Sequence, residues 1–295
     1  MRRSEQQPIA YLFIAPAVIV FAIFVIVPII ASFLLSFARY DILHPPTFVG
    51  LDNFVNLVTQ DPRFWKAFRN TVLYTLGVVP TGITLSLLLA VALEELPRGK
   101  QFFKVLYFIP TVTSVVAIAV IWKWLFAGEK YGLINYGLIR LGLHPIDWLL
   151  SPTWLLPAIM IMSIWAGLGY NMLFFSAGLS TIPQTLYEAA KVDGASWWQR
   201  FWHVTLPMLR PTLLLVVVMS VINSFQVFDQ AYIITAGTSE GVGGVLDGGL
   251  TLVSYLYEQG FQRFQMGYAS ATAYLMFGCV VGLTVINFRM IRTKQ

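Results

Sequence analysis

The chain has 295 residues, of which 57% are apolar and only 11% are charged, and its formal net charge is +5. A typical soluble domain carries about 25% charged residues, so this composition indicates a membrane protein and not a soluble enzyme or a nucleic-acid-binding domain. The single cysteine, Cys279, excludes an internal disulfide and a CxxC metal site.

Stretches without Asp, Glu, Lys or Arg locate the membrane spans, because a helix needs about 20 mostly apolar residues to cross a bilayer. The longest of them, Trp148 to Tyr187, has turn residues at both ends, which leaves room for one helix. We predict an all-α polytopic membrane protein, with residues 1–295 forming one transmembrane domain. The six predicted spans cover residues 9–38, 70–93, 105–126, 154–179, 211–234 and 266–290. Prolines within several spans, including Pro110, predict bends.

The distribution of basic residues predicts the orientation of these spans. With the N-terminus inside, eleven of the nineteen Lys and Arg residues lie in inside segments and eight in outside segments. Both termini are basic, through Arg2, Arg3 and Lys294, and six spans return the chain to its starting side. We therefore predict N-in and C-in. The outside segment 236–249 is rich in glycine and is either a solvated connector or a loop that contacts an external protein or the cargo.

The inside segment at residues 183–210 is a charged stretch between two apolar spans. Pro183 suits the first turn of a helix, Gly194 suits its C-terminal cap, and Ser196 with Gln199 fits a capping box that opens a second short helix. The tryptophans that follow suit a membrane boundary. The residues alone leave two interpretations open: a docking surface for a cytoplasmic partner, or an interfacial amphipathic loop.

Residues 188–207, EAAKVDGASWWQRFWHVTLP, resemble the EAA loop of the membrane subunits of bacterial binding-protein-dependent ABC importers. FVGLDNF at 48–54, YGLIN at 131–135 and GYASA at 267–271 resemble the carbohydrate branch, of the maltose and glycerol-phosphate type. The resemblance implies the type I ABC importer permease fold in the bacterial cytoplasmic (inner) membrane. It also implies a loop that couples to an ATPase through Glu188, Ala189, Ala190, Asp193, Gly194 and Ala195.

The implied partners are a second homologous permease subunit, two ABC ATPase subunits and an extracytoplasmic solute-binding protein. Closure of the ATPases would then switch the permease pair between inward- and outward-facing states. The sequence contains no GxxxxGK[ST] motif, so ATP and Mg²⁺ are expected on the partner ATPases. We predict no cofactor, no metal site and no catalytic residue in this chain.

The spans contain almost no ionisable residues, which argues against an ion-driven carrier. Their hydroxyl and amide groups suit a sugar, although each could equally form a hydrogen bond between helices. By resemblance to the maltose type, the predicted substrate path comprises Tyr107, Thr111, Ser163, Trp165, Ser220, Asn223 and Ser224. The predicted function is a permease subunit for a sugar, an oligosaccharide or a sugar-like compatible solute. The alternatives are a glycerol-3-phosphate-type importer and an ATP-independent carrier or channel.

Overall fold

The structure is a computed structural model that describes residues 6–128, 131–235 and 241–292. Arg2, Arg3 and Lys294, on which the predicted orientation partly depends, lie outside these ranges. The chain forms two compact units, one made of Met1–Asp61 with Leu256–Phe277 and the other of Pro62–Tyr255 with Gly278–Gln295. The single-domain organisation therefore stays a prediction.

The first unit begins with one long apolar helix. Helix α1 (Gln6–Phe21), a π-helical turn (Ala22–Ile26) and helix α2 (Val27–Leu35) follow one another without a break. No described side chain from 13 to 35 is buried, as expected of a helix that faces lipid or another subunit.

The rest of the first unit packs closely around the chain after α2. Strand β1 (Ala38–Arg39) pairs antiparallel with β2 (Thr47–Phe48), and α3 (Asp52–Thr59) follows. The side chain of Asn53 donates to the carbonyls of Ser36 and Ala38, at 2.9 and 3.0 Å. A Cβ atom at Gly267 would lie 1.9 Å from the carbonyl oxygen of Ala38, so only glycine fits there.

The second unit contains the remaining helices up to α13. They are α4 (Pro62–Glu94), α5 (Lys100–Val112), α6 (Val115–Leu125), α7 (Leu133–Arg140), α8 (Leu155–Ser180), α9 (Gln184–Val192), α10 (Trp197–Arg200), α11 (Leu206–Met208), α12 (Arg210–Phe225) and α13 (Asp229–Thr235). A π-helical turn (Phe201–Thr205) joins α10 to α11, and a 3-10 turn (Val245–Asp247) precedes α14 (Leu252–Tyr257). A further π-helical turn (Glu258–Gln262) leads to the last helix, α15 (Met266–Arg292).

Helices α4, α6, α8 and α13 enclose the apolar core of the second unit, which includes Tyr74, Ile118, Ile159 and Ile234. A side-chain hydrogen bond also joins two of these helices. Ser86 Oγ on α4 donates to a carbonyl of α8 at 3.0 Å. This tight packing fixes the residues that surround the cavity described below.

The described residues include five helices that are long and apolar enough to cross a membrane: Phe13–Leu35, Pro62–Glu94, Leu155–Ser180, Arg210–Thr235 and Met266–Asn287. A sixth apolar segment consists of α5 and α6, which bend by 96° relative to each other. The prediction of an all-α multi-pass protein is confirmed.

The third predicted span, 105–126, differs from the expected single bent helix. Pro110 stays inside α5, and the break comes at Thr113 and Ser114, which adopt extended backbone angles. Non-helical backbone at membrane depth is tolerated only where protein or a polar cavity surrounds it. Thr113 lines such a cavity.

The glycine-rich segment is packed against the rest of its unit from the buried Val242 onward. Residues 236–240 of the predicted loop lie outside the described ranges. The side chain of Asn70 on α4 donates to the carbonyls of Asp247, Gly248 and Leu250, at 3.0, 3.4 and 3.0 Å. The backbone N–H of Leu252 donates to Thr71 Oγ1 at 2.9 Å. The second half of the loop is thus fixed along the first turns of α4 and is not a solvated connector.

Candidate functional site

The segment between α8 and α12 forms the predicted helix, glycine corner and second helix. Helix α9 ends at Val192, and Gly194 adopts a left-handed φ of +74°. The N–H of Ala195 donates to the carbonyl of Ala190 at 2.9 Å, and the N–H of Gly194 donates to that of Lys191 at 3.1 Å. These two bonds form a Schellman motif, which ends a helix by reversing the chain at a glycine.

The predicted capping box opens the second helix. The N–H of Gln199 donates to Ser196 Oγ at 3.4 Å, and the N–H of Ser196 donates to Gln199 Oε1 at 2.7 Å. Because the caps at both ends of the corner are local, the sequence carries enough information to build this turn.

Buried contacts anchor the second half of this segment to the membrane helices. Phe201 and Thr205 are buried, and Thr205 Oγ1 lies 3.0 Å from the hydroxyl of Tyr187 on α9. Trp197 stacks on Phe201 and donates its indole N–H to Glu95, which directly follows α4. The corner is therefore attached to the end of α4 through a side-chain hydrogen bond.

Across α9 (Gln184–Val192), all of which the structure describes, no side chain is buried, and Tyr187 is the half-buried residue that contacts Thr205. Of the predicted ATPase-coupling residues, Glu188, Ala189, Asp193 and Gly194 are exposed, and Ala190 and Ala195 are half-buried. The side chain of Val192 is 88% exposed at the tip of the helix. An exposed helix with small and apolar residues offers a surface that another protein can cover.

A cavity of about 440 Å³ lies between α4, α5, α8 and α12, within the size range of ligand-binding pockets. Two interruptions in the helices border it. Thr113 lies at the break between α5 and α6, and residues 226–228 form the unwound step between α12 and α13. Polar backbone and side chains therefore meet in the middle of an otherwise apolar bundle.

Five of the seven predicted substrate-path residues line this cavity: Thr111, Ser163, Ser220, Asn223 and Ser224. They are not equivalent. Ser224 is buried and donates to Thr75 Oγ1 at 3.0 Å, and Thr111 Oγ1 donates to the carbonyl of Ala166 at 3.3 Å, so both join helices. Asn223 is exposed and lines the cavity.

The other two predicted residues, Tyr107 and Trp165, are not among the described residues that line the cavity. Trp165 packs edge-on against Trp122, with ring centroids 5.7 Å apart. The backbone of Tyr107 lies against α8, where a Cβ atom at Gly169 would be 2.1 Å from its carbonyl oxygen. Their roles in a substrate path stay predictions that this cavity does not support.

Sequence reasoning missed several residues that line the cavity. Tyr74 and Tyr170 contribute aromatic rings, and Asp229 and Gln230 begin α13. Among the described residues of the lining, Asp229 carries the only charged side chain. Asp229 directly follows the charge-free stretch of the fifth span, so the sequence alone shows it as the end of a span and not as part of a pocket.

Comparison with known proteins identifies the family. Residues 82–291 match the family model described as "Binding-protein-dependent transport system inner membrane component". The chain is 40% identical to "Probable ABC transporter permease protein YesP" of Bacillus subtilis (strain 168), covering 95% of this chain and 89% of the relative. It is 35% identical to "Arabinooligosaccharides transport system permease protein AraP" of the same organism, covering 95% and 87%.

The fold matches a solved structure, the "Crystal structure of bacterial alginate ABC transporter in complex with alginate pentasaccharide-bound periplasmic protein", with a TM-score of 0.85. The sequences are 23% identical over 98% of this chain and 96% of that one, so this likeness supports the fold alone. The predicted type I ABC importer permease fold is confirmed. The chain therefore belongs to the family of binding-protein-dependent transport system inner membrane components, as a non-catalytic permease subunit of an ABC transporter.

Proposed function

We propose that this permease carries a neutral sugar or oligosaccharide in an ATP-driven importer. The observation that carries the proposal is the composition of the cavity of about 440 Å³. Hydroxyl and amide groups, including those of Ser220, Asn223 and Gln226, alternate there with the aromatic rings of Tyr170 and Phe228. Such groups bind a sugar by hydrogen bonds to its hydroxyls and by apolar contact with its C–H faces.

The charge of the cavity favours a neutral cargo over glycerol phosphate. A phosphate group would meet the carboxylate of Asp229 with no Lys, Arg or His among the described lining residues to balance it. A sugar hydroxyl can instead donate to that carboxylate in a charge-assisted hydrogen bond. The arabinooligosaccharide cargo in the name of one relative agrees with a neutral sugar.

We also propose the partner subunits of this permease. The exposed α9 and the Gly194 corner are the surface for an ATPase subunit, and ATP and Mg²⁺ bind to the two partner ATPases. A second, homologous permease completes the translocation path, and an extracytoplasmic solute-binding protein delivers the cargo. The matched alginate transporter forms a complex with a periplasmic protein that holds an alginate pentasaccharide, which supports this last partner.

We further propose the N-in, C-in orientation in a bacterial inner membrane. The excess of Lys and Arg in the inside segments supports this orientation. The contacts of α4 agree with opposite sides for the two segments: Glu95, directly after α4, contacts Trp197 of the inside segment, and Asn70, near its start, contacts the outside segment at Asp247. The predicted inside and outside segments thus meet opposite ends of one spanning helix.

The test is uptake into proteoliposomes that contain the chain with its second permease, its ATPases and its binding protein. We expect ATP-dependent uptake of a neutral oligosaccharide and none of glycerol 3-phosphate. Uptake of glycerol 3-phosphate would contradict the cargo assignment. Uptake that persists after ATP depletion would contradict the importer itself and favour a carrier or channel.

A further inference from the structure

A second cavity, of about 420 Å³, lies where α4 ends and α5 begins, against the last turns of α8. Its polar lining consists of Glu94, Lys100, Gln101, Lys104, Ser176 and Ser180. Its other side is apolar and includes Phe108 and Leu173. It shares no described lining residue with the cavity of about 440 Å³, so it is a separate site.

Three charged groups give this cavity one excess positive charge. Lys104 Nζ lies 2.9 Å from Glu94 Oε1, and Lys100 Nζ contacts the other carboxylate oxygen of Glu94. Each ammonium group has three N–H donors, so both lysines retain donors after pairing with Glu94. The first N–H groups of α5, which begins at Lys100, add partial positive charge at the same place.

One lining residue of the same cavity has a hydroxyl without a partner. Ser176 on α8 is only 5% exposed, and its Oγ has no hydrogen-bond partner in the part of the chain that the structure describes. A serine in an apolar helix can usually donate to the carbonyl one turn earlier, and buried polar atoms without a partner are rare in folded proteins. Ser176 lines the cavity, and a rotation of its side chain would let the hydroxyl donate to an acceptor there.

We propose that this cavity binds the headgroup of an anionic phospholipid through its phosphate. Glu94 is the last residue of α4 and Lys100 the first of α5, so the charged lining lies at the ends of two membrane helices, at headgroup depth. The apolar side of the cavity continues along α5 and α8 and suits the start of the acyl chains. Basic pockets between membrane helices bind lipid headgroups in this way.

The charge balance favours a phosphodiester over a phosphate monoester. Two lysines and one glutamate leave a single excess positive charge, which one phosphodiester with a single negative charge neutralises. Phosphatidylglycerol carries such a phosphodiester. Phosphatidylcholine carries the same phosphodiester with a compensating cation and is the matched neutral lipid.

The test measures lipid affinity for the purified full-length chain by native mass spectrometry, in a detergent without a sugar headgroup. We expect tighter binding of phosphatidylglycerol than of phosphatidylcholine. Lys104→Gln should weaken phosphatidylglycerol binding about fivefold, the loss expected for one Lys near an anionic lipid. Lys104→Arg should preserve it. The matched control is Arg98→Gln, which makes the same charge change at an exposed residue of the same connection outside the cavity lining and should leave the affinity unchanged.

Three results would overturn the proposal. Equal affinity for the two lipids would exclude recognition of the anionic headgroup. Equal losses for Lys104→Gln and Arg98→Gln would show general attraction to a basic surface. Displacement of phosphatidylglycerol by soluble glycerol 3-phosphate at a similar concentration would assign the site to a free phosphate ester and not to a lipid.

Discussion

Arg63 binds the carboxylate of Asp247 with two hydrogen bonds, although the residues are 184 positions apart in sequence. Nε donates to Oδ2 at 2.9 Å and Nη2 donates to Oδ1 at 2.8 Å. Asp247 and its neighbour Leu246 both have positive φ angles, of 55° and 48°, which non-glycine residues rarely adopt. The ion pair thus holds a strained turn against the start of α4.

We expect Asp247→Asn to loosen this turn. The side chains of Arg63 and Asp247 are both less than one third exposed. Loss of their charged hydrogen bonds should lower the free energy of unfolding by about 2 kcal/mol. Hydrogen–deuterium exchange should then accelerate in residues 245–252. Asp41→Asn is the control because Asp41 pairs with His44 at an exposed site, and it should leave exchange in this segment unchanged. Equal exchange in both variants would show that the ion pair does not hold the turn.

Gly194→Pro should abolish transport and co-purification of the ATPase while the chain still inserts into the membrane. Proline cannot adopt the φ of +74° that Gly194 requires. Gly194→Ala should be milder, because open space surrounds the position and only the left-handed strain of about 1–2 kcal/mol remains.

Gly142 is a matched control for the Gly194 variants. Its φ is +76° and it also has open space around it, but it lies after α7, away from the coupling segment. Gly142→Pro should leave ATPase co-purification intact. If Gly194→Pro retains both transport and the bound ATPase, the prediction that this corner couples to the ATPase is wrong.

Asn223 and Ser224 are neighbours in sequence but should respond differently to alanine. Asn223→Ala removes an exposed amide from the cavity lining and should raise the KM for cargo roughly tenfold without lowering Tm. Ser224→Ala breaks the bond to Thr75 and should cost about 1 kcal/mol of stability with a smaller change in KM. Uptake kinetics and thermal unfolding of the same preparations distinguish a role in cargo binding from a role in stability. The opposite pattern would assign Asn223 to helix packing.

Asp229→Asn should weaken uptake of a neutral sugar and reduce discrimination against anionic analogues. The amide keeps the shape of the side chain but loses the charge-assisted hydrogen bond, which corresponds to roughly a tenfold rise in KM. Competition of labelled neutral cargo by a uronate and by its uncharged parent sugar measures the discrimination. Unchanged selectivity would mean that Asp229 does not face the cargo.

The corner at Gly194 was predictable because its determinants lie within a few residues: a glycine at the cap, and Ser196 and Gln199 three positions apart. The break at Thr113 was not, because neither Thr113 nor Ser114 is a helix-breaking residue and the nearby Pro110 suggested a different place for the bend. The extended backbone there borders a cavity built by helices distant in sequence, which no local pattern reveals.

Long-range contacts also explain the other differences. The glycines of the segment 236–249 allowed a solvated connector, yet Gly244 and Gly248 are needed because Leu155 and Pro152 pack against them. The ring of Trp165 packs edge-on against Trp122, and its place on the substrate path stays a prediction. A distant part of the chain thus determines the role of these glycines.

The contact between Gly169 and the carbonyl of Tyr107 constrains how the permease can move. The backbones of α5 and α8 touch there with no side chain between them, so the two helices cannot slide past each other without losing that fit. Helix α6 packs against α8 in the same apolar core. Any movement during transport should therefore carry α5, α6 and α8 together, and the change of access should arise where this group of helices meets other elements.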